Sequence, residues 1–571
     1  MASLTRRVLL RGLRCHQQIR LIGGNANIVS SHCSDVQIDQ KTVQEFIYPY
    51  FEKFSRFTAV ECGLTGRKYT YEQLRKKCRN LSKNLRTKLK LNPKDVVAVH
   101  LPNIPEFPIV TLGCLEAGTI VTSLNPIYTP DEVARQLKDS SAKAVVTTVE
   151  SIETVKQALS INKTFLPIIA IKTESNQAVP QGIISFNDFT DTEVNIPDFH
   201  EGNHNETTFL PYSSGTTGLP KGVMLSHRNI VANLEQIRHP SLNFLEEVTD
   251  SHQDVIPAVL PFFHIYGFTV TMLQSFIKGV KLVTIPKFTP ENYVSVLENN
   301  KVTVIYAAPP LILFLTNHPM VEKRHLQHLK NIMSGAAPLG SLDEEKFLEK
   351  ADYKVNMIQG YGLTETSPVV STLTKELQQQ FKCAGSIGLP LPNTQMKLVA
   401  IDDPTGTPLG PNQQGELYVK GPQVMQGYFN KPKETDEVFH EGWFKTGDLM
   451  YYDENKLFYV TDRLKELIKV KGFQVAPAEL EELLRNFPNV SDAAVIGIPD
   501  MISGELPRAY VVPKANAKIN TDELYNYVAE KVAPYKKLKG GIEVRDSIPK
   551  NASGKIMRRQ LKLEYLEQNP E

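Results

Sequence analysis

Short runs of apolar and β-branched residues recur along most of the chain and alternate with segments of helical period. Four such runs predict buried strands, at residues 96–99, 144–146, 167–171 and 302–306. Continuous apolar runs of this length are typical of parallel strands covered on both faces, and their alternation with helices is typical of an α/β fold. Ligands of such folds bind at the carboxyl ends of the strands. The pattern therefore predicts an α/β domain with its site at those ends.

The pattern changes after residue 460. Residues 462–467 are dense in charge, and the part of the chain that follows has its own predicted strands at 493–498, 508–512 and 542–546. A change of texture of this kind is typical of a domain boundary. We therefore predict an N-terminal domain over residues 35–461 and a smaller α+β C-terminal domain over residues 462–571.

Composition is ordinary for a soluble protein of more than one domain, with 571 residues of which 41% are apolar and 22% charged. The longest apolar run, residues 302–316, contains two prolines and is too short to cross a bilayer as a helix, so we expect no transmembrane segment. Six cysteines form neither a CxxC pair nor a dense framework, which favours a reducing compartment. The sequon Asn551-Ala552-Ser553 lies in a segment to which a catalytic role is assigned below, which disfavours secretion.

The first 34 residues carry five arginines, interleaved leucines and no Asp or Glu. Arg7, Arg11 and Arg14 would share one face of a helix. This composition is typical of a mitochondrial transit peptide, so we expect residues 1–34 to direct the chain to the mitochondrial matrix. A disordered basic tail on a cytoplasmic protein is the alternative, and the peroxisomal signal Ser-Lys-Leu is absent from the C-terminus. Subtracting the five arginine charges from the formal +2 leaves −3 for the rest of the chain, so no excess of positive charge indicates nucleic-acid binding.

Residues 212–223 read Tyr-Ser-Ser-Gly-Thr-Thr-Gly-Leu-Pro-Lys-Gly-Val. The glycines let backbone N–H groups approach phosphate oxygens, the hydroxyls add donors, and Lys221 adds a positive charge. The order differs from the Walker motif, because Leu-Pro precedes the lysine and Gly222 follows it, which disfavours a GTPase or kinase P-loop. A Ser/Thr/Gly-rich surface linker is the alternative. The apolar strand predicted at 208–210, just before the loop, favours an ATP-binding loop.

Three further stretches carry groups suited to nucleotide chemistry. Residues 359–366, Gln-Gly-Tyr-Gly-Leu-Thr-Glu-Thr, predict a strand that enters a tight turn. Asp448, within Thr-Gly-Asp, can accept hydrogen bonds from two ribose hydroxyls. Lys555 follows the flexible Gly554, and its charge about 4 Å from a developing negative charge would be worth roughly 4 kcal/mol, or about a thousandfold in rate. A plain Gly-rich turn, a turn-forming aspartate and a solvated basic tail are the respective alternatives.

Together these stretches resemble the adenylate-forming superfamily of acyl-CoA synthetases, adenylation domains and beetle luciferases. Within it the chain is most similar to 4-coumarate:CoA ligases and their animal fatty-acyl-CoA synthetase relatives, from about residue 47 to residue 561. The resemblance implies a large N-terminal domain of packed mixed and parallel sheets with helices, and a small mobile C-terminal lid.

The resemblance implies specific nucleotide contacts. Tyr361 would stack on adenine, Thr364 would contact the α-phosphate, Glu365 would support Mg²⁺, and Asp448 with Arg463 would hold the ribose. Small residues at 334–338 resemble the wall of the adenine pocket. The residues implied to bind ATP or AMP are Ser213, Ser214, Gly215, Thr216, Thr217, Lys221, Gly335, Ala336, Gln359, Gly360, Tyr361, Gly362, Asp448, Arg463 and Lys465.

The resemblance also implies two catalytic steps. Lys555 would bridge the substrate carboxylate and the α-phosphate during adenylation, and Lys465 would be the pivot of the lid. Residues 464–479 would form the face used in the second step. His264, between aromatic residues, is implied to lie between substrate and CoA tunnel, whereas a buried core histidine is the alternative. The implied catalytic residues are Lys555, Lys469, Gln474, Thr364 and His264.

Two more sets complete the implied site. For CoA they are Lys287, Lys471 and Gly472, and for the walls of the acid pocket they are Phe263, Tyr266, Thr316 and Val369. Thr316 stands about where plant 4-coumarate ligases carry a polar or basic residue. The largely apolar walls favour an aliphatic or unsubstituted aromatic acid.

The sequence thus predicts an ATP-dependent acid–thiol ligase that converts a hydrophobic carboxylic acid, expected to be a medium- or long-chain fatty acid, to acyl-AMP and then acyl-CoA with Mg²⁺ and CoA. Alternatives on the same scaffold are a 4-coumarate or aryl acid:CoA ligase and a luciferase-like enzyme. A peptide-synthetase adenylation unit is disfavoured because 16 residues follow Lys555. A non-catalytic adenylate-binding protein is disfavoured because the charged positions are intact. The oligomeric state stays open.

Overall fold

The computed structural model describes residues 27–199, 202–213, 220–401, 403–464, 466–470, 473–551 and 554–569. Sheets and helices alternate through most of this chain, as the apolar runs predict. The helices are Val43–Lys53, Tyr71–Thr87, Phe107–Glu116, Pro130–Asp139, Ile152–Ile161, Phe186–Thr190, His227–Ile237, Gln274–Lys278, Pro290–Asn299, Pro309–Asn317, Ser341–Lys350, Lys375–Gln380, Pro432–Glu437, Pro477–Arg485, Thr521–Ala529 and Arg558–Gln568.

The largest sheet is parallel through most of its width. Its parallel strands lie in the order Thr207–Phe209, Ile120–Ser123, Val96–His100, Ala144–Thr148, Ile168–Ile171 and Ile184–Ser185. One edge is extended by antiparallel strands, which are Lys221–Ser226, Tyr212–Ser213 and Gly427–Tyr428. Val96–His100 and Ala144–Thr148 are buried along their whole length, which explains their continuous apolar character.

Two smaller sheets of the N-terminal body combine parallel and antiparallel pairs. The first contains Val304–Ala307, Asn331–Ser334 and Asn356–Gly362 in parallel, followed by antiparallel Val369–Thr372 and Leu389–Pro390. The second contains Val255–Ala258, Lys281–Thr284 and Thr58–Cys62 in parallel, with antiparallel Lys68–Thr70 at its edge.

A fully antiparallel sheet completes the N-terminal body. Its strands are Val29–Ser30, Gln395–Val399, Gly415–Lys420, Trp443–Tyr452, Phe439–His440 and Phe458–Arg463. The division predicted at residue 461 falls inside the last of these strands. The chain passes to the next sheet between Arg463 and Ile468.

The C-terminal sheet has a hydrophobic core of its own. Its strands are Phe473–Val475, Ile468–Val470, Gly504–Pro513, Val490–Asp500 and Ile542–Val544. Ile468, Val495, Val511 and Leu524 are buried together in that core. The strands predicted at 493–498 and 508–512 lie within longer ones, while the strand predicted at 542–546 ends at Val544.

The apolar run at 302–316 divides into a strand and a helix. Val304–Ala307 is a central strand, and helix Pro309–Asn317 begins at the proline pair. Proline suits the first turn of a helix because its fixed φ matches the helix and its missing N–H is not needed there. In the described part of the chain, no helix is long and apolar enough to cross a membrane. Cysteines 33, 62, 78, 114 and 383 are free thiols, and most of the expected transit peptide lies outside the described residues.

Candidate active site

Two short strands hold the ends of the predicted phosphate loop together. Tyr212–Ser213 pairs antiparallel with the start of Lys221–Ser226, with Ser213 opposite Lys221. The Lys221 ammonium lies 5.0 Å from the ring centre of Tyr428. The loop members Ser214, Gly215, Thr216 and Thr217 lie outside the described residues. The two ends of the loop therefore face the same part of the molecule.

The strand Asn356–Gly362 enters the tight turn that the sequence predicts. The turn is the single 3₁₀ turn Thr364–Thr366, which begins with the candidate phosphate ligand Thr364. A side chain at Gly362 would place its Cβ 2.2 Å from the carbonyl oxygen of Pro368, so only glycine lets the strand fold back so closely. At Gly360 the nearest atom would be Cε of Met333 at 3.3 Å. Gly362 therefore fixes where the turn presents its side chains.

Glu365 joins the turn to the phosphate loop. Its Oε1 accepts hydrogen bonds from Ser213 Oγ and Tyr428 Oη, each 3.0 Å long, and the residue is 8% exposed. Among the described residues, no donor bonds its Oε2. Mg²⁺ in nucleotide sites is commonly held by one or two carboxylates together with substrate phosphates, so this single carboxylate fits the ion. No group of three His, Cys, Asp or Glu in the described chain forms a separate metal site.

Tyr361, Asp448 and Arg463 form one hydrogen-bonded group. Tyr361 Oη donates to Asp448 Oδ2 at 2.6 Å, and Arg463 Nε lies 2.9 Å from Asp448 Oδ1. Asp448 and Arg463 stand opposite each other on neighbouring antiparallel strands. Burial, and then the Asp448 carboxylate, raise the pKa of Tyr361 well above its ordinary value, so its hydroxyl stays a donor. The group is suited to hold two ribose hydroxyls beside an aromatic face.

The small residues 334–338 approach an aromatic ring closely. A Cβ on Gly335 would lie 3.1 Å from Cε1 of Tyr266, and Ala336 has a positive φ of 71°. Gln359 lies beneath this segment, 3% exposed, and its side-chain amide bonds both the N–H and the carbonyl of Leu339 as well as Glu344. The Gln359 side chain therefore holds this wall, and the nucleotide contact that the resemblance implies for Gln359 stays a prediction.

Lys555 reaches the same group of residues from the C-terminal domain. The Lys555 Nζ lies 3.5 Å from Glu466 Oε1, and the backbone N–H of Lys555 donates to Asn551 Oδ1 at 2.9 Å. Burial and the charge of Arg463 lower the pKa of Lys555, while Glu466 and Asp448 oppose the effect. A Cβ on Gly554 would lie 2.9 Å from Cγ of Pro310, so the loop packs on the first turn of a helix of the N-terminal body.

The other residues implied for the second step are not in this group. Lys469 is exposed, and its N–H donates to Glu505 Oε2 at 2.9 Å. Gln474 stands opposite Lys469 in the hairpin register. Lys465, Lys471 and Gly472 lie outside the described residues. In this orientation of the C-terminal domain, Lys555 and not Lys469 is presented to the nucleotide site.

The residues implied for the acid pocket are only partly brought together. Phe263 and Val369 are buried in one hydrophobic cluster, against which Tyr266 packs. Tyr266 starts a π-helix, Tyr266–Leu273, and donates through its hydroxyl to the carbonyl of Met333 at 3.3 Å. Thr316 forms hydrogen bonds with Ile312 of its own helix and with Lys350, and no hydrogen bond of the described residues joins it to the other three.

His264 and Lys287 have different surroundings. The His264 ring centre lies 4.5 Å from that of Phe263, and burial lowers the pKa of His264 to about 4. The imidazole is therefore neutral at physiological pH. Lys287 is exposed before helix Pro290–Asn299, and its carbonyl accepts a bond from Asn292. The structure does not bring Lys287 to the nucleotide group.

Three contributors to the site are absent from the prediction. Tyr428 supports Glu365, Glu466 faces Lys555, and Arg558 pairs with Glu466. A tyrosine among Gly, Phe and Asn has no local pattern that indicates a site. In the sequence, Glu466 stands in a charge-rich stretch and Arg558 in a basic tail, so both are interpreted as solvated surface residues. Only the fold shows that these charges face each other.

Comparison with known proteins gives a consistent result. The chain matches the AMP-binding enzyme family over residues 50–429 and the AMP-binding enzyme C-terminal domain over residues 479–555. It is 39% identical over 521 residues to 4-coumarate--CoA ligase 2 of Nicotiana tabacum, covering 90% of this chain and 93% of that one. It is 36% identical over 544 residues to 4-coumarate--CoA ligase 1 of Arabidopsis thaliana, covering 94% and 95%.

Solved structures share the fold. ATP-bound MatB from Rhodopseudomonas palustris superposes with a TM-score of 0.80 and 25% identity, covering 92% of this chain and 99% of that one. The α/β body with a small second domain is therefore confirmed.

Proposed function

The chain belongs to the AMP-binding enzyme family and is an ATP-dependent, AMP-forming acid–CoA ligase, and we propose that its acid is an aryl carboxylic acid. The support is the set of relatives named 4-coumarate–CoA ligase, which are similar over nearly the whole chain. These relatives favour an aryl acid over the fatty acid that the sequence analysis expects.

The single observation that carries the ligase chemistry is that Lys555, from the C-terminal domain, lies close enough to Asp448 and Arg463 for their charges to shift its pKa. In the proposed first step, a carboxylate oxygen of the acid attacks the α-phosphorus of ATP, and pyrophosphate leaves. Asp448 and Arg463 hold the ribose, and Lys555 neutralises charge that builds up between carboxylate and phosphate. In the second step, the CoA thiolate attacks the acyl carbon, and AMP leaves.

Glu365 is the residue we propose to hold Mg²⁺. Its Oε1 already accepts two hydroxyl donors, and Oε2 is the oxygen we propose to bind the ion. A bound Mg²⁺ would supply neutralisation of phosphate charge and would orient the triphosphate. Ser213 and Tyr428 fix the carboxylate and so keep this ligand in place.

The walls of the acid site favour an aryl acid without ring hydroxyls. Phe263 and Val369 offer only apolar surface, and the Tyr266 hydroxyl is already bonded to a backbone carbonyl. Walls that offer no free partner at these three residues do not reward a substrate hydroxyl there. We therefore expect cinnamate and benzoate-type acids to be used at least as well as 4-coumarate.

A substrate panel tests this proposal. Purified protein with ATP, Mg²⁺ and CoA is assayed for AMP release with cinnamate, 4-coumarate, benzoate and saturated fatty acids of short, medium and long chain. The expected result is the highest kcat/KM with an aryl acid. The same apolar walls suit an aliphatic chain, so a clear preference for medium- or long-chain fatty acids would replace the aryl assignment with the fatty-acid one.

We also propose that residues 1–34 direct the chain to mitochondria, on the basis of their arginines and absent carboxylates. A fluorescent fusion of residues 1–40, imaged beside a mitochondrial marker, tests this address. The control fusion carries the five arginines replaced by glutamine. A diffuse cytosolic signal from the unaltered segment would contradict the proposal.

A further inference from the structure

Glu466 lies where the chain passes from the N-terminal body to the C-terminal sheet, and it faces two cations. Its Oε1 is 3.5 Å from Lys555 Nζ, and its other carboxylate oxygen pairs with the Arg558 guanidinium. Its N–H donates to the carbonyl of Arg463 at 3.0 Å. The Glu466 side chain is 22% exposed, so these charges meet in a partly dehydrated setting.

Arg558 is itself fixed to the core of the C-terminal domain. It begins helix Arg558–Gln568 and bonds Glu481 through Nε at 3.0 Å and a terminal nitrogen at 2.7 Å. Glu481 Oε1 also accepts the N–H of Val495, in the edge strand Val490–Asp500 of that sheet. The connection from sheet to Glu481, Arg558 and Glu466 is therefore continuous.

All members of this connection follow residue 465 in the chain. A rotation about that residue would carry Glu466, Glu481, Arg558 and Lys555 together as one body. The pair Arg463–Asp448, by contrast, belongs to the N-terminal body. The network thus orients Lys555 within the C-terminal domain before that domain meets the nucleotide.

We infer that Glu466 is a positioning residue for the adenylation step, in which its carboxylate, braced by Arg558, directs the Lys555 ammonium toward the Asp448–Arg463 side of the nucleotide site. Glu466 needs no contact with substrate for this. The inference rests on the proposed function, because it depends on Lys555 acting on the acid and the α-phosphate.

Four charged groups face Lys555. Arg463 and Asp448 come from adjacent strands of the N-terminal body, while Glu466 and Arg558 come from the C-terminal domain. Burial and Arg463 lower the pKa of Lys555, and Glu466 and Asp448 hold it up. Neutralising Glu466 therefore lowers the pKa of Lys555 further. Lys555 acts as a cation, so the adenylation rate falls at high pH as Lys555 loses its proton. When Glu466 is neutralised, this fall, the high-pH limb of the rate profile, moves to lower pH.

The test is Glu466→Gln, with both half-reactions measured separately. Acid-dependent ATP–pyrophosphate exchange is followed from about pH 7 to about pH 10, and thioester formation is measured with acyl-adenylate supplied directly. We expect exchange to fall about tenfold to a hundredfold, since small misplacement of a catalytic group has effects of this size. We expect its high-pH limb to move to lower pH, while thioester formation from supplied adenylate is unchanged.

Glu481→Gln is the matched control. It removes a carboxylate from the same Arg558 but faces no part of Lys555, so we expect a lower melting temperature with the high-pH limb unmoved. Glu466→Asp keeps the charge and should restore the limb toward its original position. If Glu466→Gln does not fold, Glu466→Asp still tests the inference, because its shorter side chain draws the carboxylate away from Lys555 and should lower pyrophosphate exchange while thioester formation from supplied adenylate is unchanged.

An unmoved limb in Glu466→Gln, an equal loss in both half-reactions, or an equal shift in Glu481→Gln would overturn the inference. Each of these leaves exchange by the unaltered protein intact. Failure of the proposed function looks different, because the unaltered protein would then catalyse no exchange with any acid of the panel.

Discussion

Asp448 and Lys555, two charged residues of this site, each have a charged partner. Asp448 is 2% exposed and has both Tyr361 and Arg463 on its carboxylate, and Lys555 has Glu466. A buried charge that loses its partner is costly, whereas a paired one is held in a defined direction. The residue-scale consequence is that removing one partner of a pair should disturb the direction in which the other is held, and with it catalysis.

Lys555→Ala is the most direct residue-scale prediction. Loss of the ammonium removes roughly 4 kcal/mol of interaction with charge about 4 Å away, so pyrophosphate exchange should fall by about a thousandfold. Thioester formation from supplied acyl-adenylate should be spared. The matched control is Lys550→Ala, in the same loop but paired with Asp492 at 2.6 Å. An equal loss of both half-reactions in Lys555→Ala would contradict the assignment.

Asp448→Asn tests the ribose site. The amide retains one acceptor but presents N–H groups where Tyr361 and Arg463 already donate, so the KM for ATP should rise by about tenfold to a hundredfold, as expected for a lost charge-assisted bond. Steady-state kinetics with varied ATP measure the change. Asp453→Asn, at an exposed turn just beyond the same strand, is the control. A KM equal to that of the control would remove Asp448 from the nucleotide site.

At the scale of elements, two helices are joined through a histidine. The ring Nδ1 of His227, at the start of helix His227–Ile237, accepts the N–H of Val43 at the start of helix Val43–Lys53. Burial lowers the pKa of His227 to about 3. The folded protein therefore keeps this ring neutral under conditions in which the unfolded chain would protonate it.

His227→Asn should flatten the dependence of stability on pH. Asparagine preserves an acceptor near the position of Nδ1 but cannot titrate. In the unaltered protein the free energy of unfolding falls as pH drops below about 6.5, by about 2–3 kcal/mol at about pH 4.5 for this residue, because only the unfolded state gains the proton. Melting temperatures at about pH 7 and about pH 4.5 measure the effect.

His239→Asn is the control for that experiment. His239 also accepts a backbone N–H through Nδ1, from Ser241 at 3.2 Å, but it is less buried. The melting temperatures of His239→Asn are measured at the same two pH values for comparison. An identical acid-induced loss of stability in His227→Asn would contradict the proposed linkage.

Strands and turns are easier to predict from the sequence than the side-chain contacts between them. Val96–His100 has a local signal, since burial on both faces requires a continuous apolar run. The turn after Gly362 also has one, in its glycines. The structural roles of Gln359 and Thr316 have no local signal. From sequence alone, an amide that braces a wall and a hydroxyl bonded to its own helix cannot be distinguished from residues that contact a ligand. Tyr428 is separated from Glu365 by more than 60 residues, so only the folded structure shows that they are hydrogen-bonded.

At the scale of the whole molecule, the orientation of the C-terminal domain decides which lysine is available. Gly554 packs on Pro310, and a Cβ at Gly340 would lie 3.1 Å from Glu482 Oε1, so the two bodies touch at more than one point. Lys469 meanwhile faces solvent. We therefore expect the orientation described here to serve adenylation and a rotated one to serve thioester formation.

A disulfide between Gly340→Cys and Glu482→Cys tests this expectation. A Cβ at 340 would lie 3.7 Å from Cγ of Glu482, so the two cysteine side chains would be neighbours. The oxidised double variant should retain pyrophosphate exchange and lose most thioester formation, and reductant should restore it. The two single variants are the controls. Full CoA transfer by the cross-linked form would contradict the need for rotation.

The position of Gly554 against Pro310 also has a consequence for timing. In the proposed cycle, acid that is activated while that contact lasts cannot yet be delivered to CoA, and a mixed anhydride left in water is hydrolysed. The enzyme must therefore retain its intermediate for as long as the reorientation takes. Tight retention of the adenylate, rather than speed of its formation, then decides how much ATP is wasted in each cycle.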